Sequence, residues 1–232
     1  MGRRAMIILT GASGGIGKDI VKYLLEIDSV TGVYNNTLPQ TSQDKRLAHE
    51  KLDLESPAAI AAFAEKLKPG LSKITLVHAA ALKLDGLAAN YQEADWDRVM
   101  SVNLKGVFLL TRALLPAMIQ QRWGRIVHIS SVPGIQGYPG TIAYAASKSA
   151  LLGMSRVLAK EYARFNITSN VLILGSFEKG LFNTLKDDLK HKLLEQIPSR
   201  QLGKTSNIAN AVDFLIKSEY VNGAVINIDG GM

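Results

Sequence analysis

The chain has 232 residues, 47% of them hydrophobic and 20% charged, a globular composition that excludes disordered and collagen-like classes. It contains no cysteine, which excludes a disulfide framework, a thiol nucleophile and a Cys-ligated zinc. Lys plus Arg number 27 against 20 Asp plus Glu, a formal charge of +7 that admits nucleic acid, an anionic cofactor or an acidic protein partner without choosing among them.

The start, Met1-Gly2-Arg3-Arg4-Ala5-Met6-Ile7-Ile8-Leu9, is basic and then apolar. Its apolar run stops at Thr10-Gly11, short of the roughly 7–15 residues of a signal peptide. No stretch approaches the ~18 apolar residues of a membrane span. Arg3, Arg4, Ala5 and Met6 lack the Ser/Thr of a myristoylation signal. The expectation is a soluble, cytoplasmic protein.

In chain order, short β-branched runs alternate with amphipathic stretches. The runs predict strands over Met6–Thr10, Val30–Tyr34, His49–Leu52, Ile74–Ala79, Gly124–Ser130, Ile167–Ile173 and Ala224–Ile228. The amphipathic stretches predict helices over Ile16–Ile27, Pro57–Leu67, Asp95–Gln120, Ile142–Arg164, Leu181–Gln196 and Ser206–Lys217. Ser56-Pro57 reads as an N-cap followed by proline at the first helical position, and Thr205 or Ser206 as the cap of the last helix. Such alternation predicts an α/β fold, a parallel sheet covered on both faces and joined by right-handed crossovers. No linker or repeat interrupts it, so residues 1–232 read as one domain. The polar, Gly-punctuated stretch 174–200 is the expected mobile lid.

Thr10-Gly11-Ala12-Ser13-Gly14-Gly15-Ile16-Gly17 joins the first strand to the first helix. Glycines let backbone approach a diphosphate closely, and the helix N-terminus offers it free N–H groups. The spacing is Gly-x-x-x-Gly-x-Gly, not the common G-x-G-x-x-G. No Gly-Lys-Ser/Thr follows, which argues against a P-loop nucleotidase.

Tyr144 and Lys148 stand at i and i+4, on one helix face. A phenol titrates near ~10, and a neighbouring ammonium favours its ionised form, which makes tyrosine a usable proton donor. Alone, such a pair is common helix-surface chemistry. Here Ser130-Ser131 ends an apolar strand just upstream, and Pro133, Gly134, Gly137, Pro139 and Gly140 fill the connection. The C-terminal edge of a strand is where open α/β sheets place ligands.

These motifs together resemble the classical short-chain dehydrogenases/reductases, most of all the bacterial 3-oxoacyl-[acyl-carrier-protein] reductase branch. The resemblance spans nearly the whole chain. It rests on Thr10–Gly17, Asp53-Leu54, Val102-Asn103-Leu104-Lys105-Gly106-Val107-Phe108, Gly124–Ser131, Tyr144–Lys148 and Asn222–Gly231. It implies a Rossmann-like doubly wound parallel sheet of seven strands, order 3-2-1-4-5-6-7, assembled as a homotetramer or homodimer. It implies catalytic roles for Asn103, Ser131, Tyr144 and Lys148, and no metal. In that picture Tyr144 protonates a carbonyl oxygen, Ser131 hydrogen-bonds it, Lys148 lowers the Tyr144 pKa and holds the nicotinamide ribose, and Asn103 positions a water of a proton relay. The implied cofactor contacts are Gly11, Ser13, Gly14, Gly15, Ile16, Gly17, Asn35, Asn36, Asp53, Leu54, Ala79, Ala80, Ala81, Tyr144, Lys148 and Gly175, with Asp53 on the adenine.

The chain departs from the family pattern in several places. Asn-Asn-Ala-Gly after the fourth strand is His78-Ala79-Ala80-Ala81, so Ala79 loses a sheet-bracing amide and Ala81 adds a methyl near the cofactor. His78 reads as a buried strand-end histidine rather than a catalytic one. Leu174-Gly175 stands for Pro-Gly, an exchange expected to loosen the lid, and Lys179 occupies the position of a Thr that contacts the nicotinamide carboxamide. Val33-Tyr34-Asn35-Asn36-Thr37 carries no acid to repel a 2′-phosphate, which favours NADP(H) over NAD(H), although Gly14 replaces the arginine common in NADP-preferring relatives.

The implied function is a carbonyl reductase acting on a 3-oxoacyl thioester. The alternatives are another ketone or sugar substrate, or a non-catalytic dinucleotide sensor. Arg122, at a position used for carrier docking in that branch, and Arg164 beside Phe165 allow an acyl carrier protein as partner. No helix-turn-helix or aromatic-stacking pattern supports nucleic acid. Residues 98–160 hold Arg98, Lys105, Arg112, Arg122, Arg125, Lys148, Arg156 and Lys160 and no Asp or Glu. The expectation is a positive field around the site.

Overall fold

The computed structural model describes residues 4–39, 43–67, 71–179 and 194–232. The strands are β1 (Arg4–Thr10), β2 (Ser29–Tyr34), β3 (Leu47–Lys51), β4 (Leu71–His78), β5 (Gly124–Ser131), β6 (Ile167–Leu174) and β7 (Val225–Ile228). The helices are α1 (Gly17–Ile27), α2 (Pro57–Leu67), α3 (Glu93–Met100), α4 (Val107–Gln121), α5 (Pro133–Gln136), α6 (Ile142–Tyr162) and α7 (Thr205–Lys217). All seven strands form one parallel sheet in the order β3-β2-β1-β4-β5-β6-β7, the Rossmann-like arrangement expected.

Alternation along each strand feeds two cores. Ile7 and Leu9 of β1 join Ile20 and Leu24 of α1 and Ile208 and Val212 of α7. Ile8, pointing the other way, joins Leu110, Leu114 and Met118 of α4. Each fully buried side chain of this size contributes roughly 1.5–3 kcal/mol. The strand order reverses at β1, whose neighbours are β2 and β4, so their C-terminal ends open a crevice.

The single helix expected over Asp95–Gln120 is interrupted. A π-turn over Ser101–Gly106 joins α3 to α4. It rotates Asn103 fully inward, and Gly106 lets α4 pass the Leu54 carbonyl, which an added Cβ would meet at 2.6 Å. The combined run Glu93–Gln121 is long and apolar enough to cross a membrane by length and composition. Here Leu110, Leu114 and Met118 place it in the core.

The α2 cap is as expected: the Ala59 N–H donates to Ser56 Oγ at 3.2 Å. The α7 cap is not. Thr205 is already helical, and the Lys204 N–H donates to Asn207 Oδ1 at 3.0 Å. The helix expected over Leu181–Gln196, and with it the centre of the expected lid, lies largely outside the described residues. The flanks of that segment are anchored. Leu174 is a strand residue, pairing with Ser131 and Ile228. The Gly175 N–H donates to Ile228 O and the Ser199 N–H to Gly230 O. Leucine keeps the N–H that proline lacks and buries its side chain at the end of β6, while most of the lid it was expected to loosen lies outside the described residues.

Candidate active site

A cavity of about 900 Å³ runs across the C-terminal ends of the strands. The glycine loop forms its floor. Gly11 has φ +75°, a conformation costly for any residue with a side chain, and a Cβ there would lie 2.8 Å from Ala80 Cα. At Gly17 a Cβ would fall 2.0 Å from the Gly11 carbonyl oxygen. The loop therefore folds back against the start of α1, whose N-terminus carries no side-chain cap. Ser13, Gly14, Gly15 and Ile16 complete the lining here.

Thr10 supplies the brace that Ala79 cannot. Its buried hydroxyl oxygen accepts the N–H groups of Ala79 and Ala80, each at 3.1 Å, and locks β1 to the segment after β4. A threonine ending the first strand was the readable signal for this role. Ala81 is exposed toward the groove, as a tolerated small residue should be.

Asn35, Asn36, Asp53 and Leu54 line one end of the cavity, and Ser131, Tyr144, Lys148 and Gly175 also line it. One Asp53 oxygen is already committed, accepting the Glu55 N–H at 2.9 Å. The groove thus offers an extended trough with amides and a carboxylate at one end, a glycine-loop cradle under a helix N-terminus, and a Tyr–Ser–Lys cluster. That order of donors fits a dinucleotide.

Tyr144 and Lys148 come from successive turns of α6, and Ser131 from the end of β5. The Ser131 hydroxyl hydrogen-bonds the Tyr144 oxygen and favours its ionised form. Burial acts more strongly and raises the phenol above its ordinary value, and the Asp85 carboxylate adds to the rise. Lys148 is the ammonium expected to favour the ionised phenol. Its Nζ lies 5.8 Å from the Tyr144 ring centroid and donates to Ile129 O at 2.7 Å. Complete burial pushes Lys148 itself down from 10.5 to about 8.

Asn103 does not line the cavity. Its Oδ1 accepts the Leu82 N–H at 2.7 Å, and its Nδ2 donates to Leu82 O at 2.8 Å and to Ser147 Oγ at 3.1 Å. The amide ties the segment after β4 to α6, one residue before Lys148.

His78 is 1% exposed and faces away from the cavity, as expected for a buried strand-end histidine. Its ring stacks on His128 with centroids 5.3 Å apart and planes 5° from parallel. The Thr111 hydroxyl donates to Val107 O at 2.8 Å, so His78 Nε2 is the donor in its 2.9 Å bond to Thr111 Oγ1. Burial lowers both imidazoles, His78 well below 6.5 and His128 to about 3, with Lys148 contributing to each. Sequence reasoning missed Tyr138 and Met232 as lining residues, neither of which belongs to a motif.

Arg122 lies at the opposite end of the sheet. It ends α4 in the left-handed conformation just before β5 begins, and its guanidinium donates to Arg164 O at 3.1 Å. An eight-residue strand separates this edge from the cavity, about 26 Å at ~3.3 Å per residue. The positive field expected around the site therefore does not include Arg122: strand direction puts both arginines at the N-terminal edge of the sheet.

The short chain dehydrogenase family profile matches residues 5–190. Nodulation protein G of Rhizobium sp. (strain N33) is 36% identical over 239 residues, covering 100% of this chain and 97% of that protein. The 3-oxoacyl-[acyl-carrier-protein] reductase FabG of Escherichia coli (strain K12) is 35% identical over 233 residues, covering 97% and 96%. The protein of that name from Thermotoga maritima is 36% identical over 238 residues, covering 97% and 96%. With the sheet order, the glycine loop and the Tyr–Ser–Lys cluster in place, the chain belongs to the short-chain dehydrogenase/reductase family and is an oxidoreductase acting on CH–OH and keto groups.

Proposed function

We propose that the protein is an NADPH-linked reductase of a 3-oxoacyl thioester, built as one domain over residues 1–232 and working in the cytoplasm. The observation that carries this reading is the convergence of Ser131, Tyr144 and Lys148 in the groove that also holds the glycine loop. When bound, the nicotinamide dinucleotide supplies the hydride.

Everything else belongs to the chain. Burial keeps the Tyr144 phenol protonated at neutral pH, so it holds a proton ready for a carbonyl oxygen. Ser131 stands beside the phenol and donates a hydrogen bond to the charge that develops on the oxygen. Lys148, between the phenol ring and the β5 backbone, supplies positive charge beside the phenolate left behind. Asn103 acts as a positioning residue through Leu82 and Ser147. Preference for NADPH rests on Asn35, Asn36 and Thr37, which offer amide and hydroxyl donors and no carboxylate at the end of β2.

An acyl carrier protein docking on Arg122 and Arg164 would serve the groove of a neighbouring copy, because these residues lie at the edge of the sheet opposite the chain's own groove. A homotetramer or homodimer built on the outer faces of α4 and α6 suits this reading. Phe108 and Val157 stand there 46% and 53% exposed.

The test is a panel of 3-oxoacyl thioesters, diketones and sugar ketones run with NADPH and NADH, followed by absorbance. Turnover of the thioesters with NADPH is the expected result. Tyr144→Phe should lower kcat at least ~100-fold and leave dinucleotide affinity nearly unchanged. Dinucleotide binding without turnover of any ketone would replace the reductase by a sensor.

A further inference from the structure

Among the described residues, the cationic residues of the cavity lining are Lys83, Arg98, Lys148 and Lys179. Lys83 is paired with Asp85 at 2.8 Å, and Lys148 is buried and bonded to Ile129 O. Arg98 stands on α3, which packs on α6. Lys179 is exposed, and among the described residues no hydrogen bond or ion pair engages it. Its backbone is well placed. The chain leaves β6 at Gly175, held by Ile228 O, and Phe177 then pairs with Gly203. Phe177 is 3% exposed and belongs to the same core cluster as Ala12 of the glycine loop, with Ile16 packed against it. This buried anchor holds Lys179, two residues on, in the lining of the groove that the glycine loop also lines.

We propose that Lys179 binds the diphosphate of the dinucleotide, from the wall facing the glycine loop. This rests on the dinucleotide-dependent reading above. The loop and the N-terminus of α1 supply backbone N–H groups and a partial charge, and Lys18 in the first turn of α1 does not line the cavity. Two phosphate charges therefore lack a counter-ion until a flexible ammonium reaches them, and lysine suits phosphate as a mobile point charge. The family pattern has a neutral threonine at this position, so the added charge is a feature of this chain.

The test measures equilibrium dissociation constants of NADPH, NADH, ADP-ribose and adenosine by titration calorimetry, for the wild type and for Lys179→Gln and Lys179→Arg. Lys179 is exposed, so both variants should fold, which thermal melting checks. Lys179→Gln should weaken NADPH, NADH and ADP-ribose by one common factor, roughly 5–20-fold. Adenosine should be unaffected, and Lys179→Arg should keep most of the wild-type affinity. The difference between wild type and Lys179→Gln should shrink as salt rises. Loss confined to NADPH would put the lysine at a 2′-phosphate instead and overturn the proposal. Unchanged nucleotide affinity with a raised ketone KM would make it a substrate contact, with the same consequence. A wild type that binds none of the dinucleotides would overturn the reductase reading as well.

Discussion

Lys148 should destabilise the free enzyme that needs it, and Lys148→Met tests this. The ammonium is fully enclosed, with one backbone carbonyl as its recorded hydrogen-bond partner. Burial lowers its pKa from 10.5 to about 8. At about 1.4 kcal/mol per pH unit, keeping it charged at neutral pH costs the folded state on the order of 3 kcal/mol. Methionine fills similar space without charge, but leaves Ile129 O without its donor, a loss of about 1 kcal/mol. The variant should therefore be about 2 kcal/mol more stable than wild type at pH 7. Below pH 8 both folded and unfolded wild type hold the proton, and the full cost is present. Between pH 8 and 10.5 the folded protein releases it while the unfolded chain keeps it, so wild-type stability climbs relative to the variant. Urea unfolding of both proteins at pH 7 and pH 10 reads this directly, since other groups cancel in the difference. The gap should close by pH 10. A variant no more stable at pH 7, or a gap unchanged at pH 10, would refute a charged and desolvated lysine.

The buried histidines add an acid limit. Their folded pKa values lie below 6.5, so their stability contribution is full above about 6.5 and falls as pH drops. By pH 5 His128 should forfeit about 2 kcal/mol, with His78 adding to the loss, and a His78→Asn, His128→Asn double variant should show a flatter urea-midpoint profile between pH 7.5 and 5; an unchanged slope would refute the neutral stacked pair. Gly17→Ala places a methyl 2.0 Å from a carbonyl oxygen, so the loop must move. It should cost roughly 1–3 kcal/mol in thermal or urea unfolding and abolish ADP-ribose binding, and normal binding would show that the loop tolerates the shift.

The strands were legible because each is a short apolar run between turn residues, and their observed ends lie within three residues of those expected. The π-turn at Ser101–Gly106 was not, because apolar periodicity continues on both sides and one inserted residue leaves no compositional trace. Asn103 was found by motif, but its saturated amide could not be read from the motif, since it depends on Leu82 and Ser147 arriving from two other elements. Leu174 ends β6 as a buried ladder residue, and most of the lid it was expected to loosen lies outside the described residues. The place of Arg122 was readable in principle. A residue just before a strand stands at the strand's N-terminal edge, and ligands in this architecture gather at the other edge.

The same rule of direction revises the meaning of the net charge. Of the eight cations in residues 98–160, only Arg98 and Lys148 line the cavity. Arg125 is structural: it is 2% exposed, donates to Ile216 O and Gly124 O, and lies 4.5 Å from the centroid of the Trp123 ring. Lys105, Arg112, Arg156 and Lys160 are exposed along the helical run and α6, and Arg122 sits a strand length from the groove. At physiological salt a charge is felt over about 8 Å, so Arg122, ~26 Å away, does not steer an anion to this site. The pull on a dinucleotide must come from the few cations at the cavity itself. Lys83 is paired and Lys148 is buried beneath the phenol ring, which leaves Arg98 and Lys179 among the described residues. Salt dependence of nucleotide binding should therefore be modest, carried by one or two charges. Much of it should disappear in Lys179→Gln, while removing Arg112 or Arg156 from the helix faces leaves it unchanged.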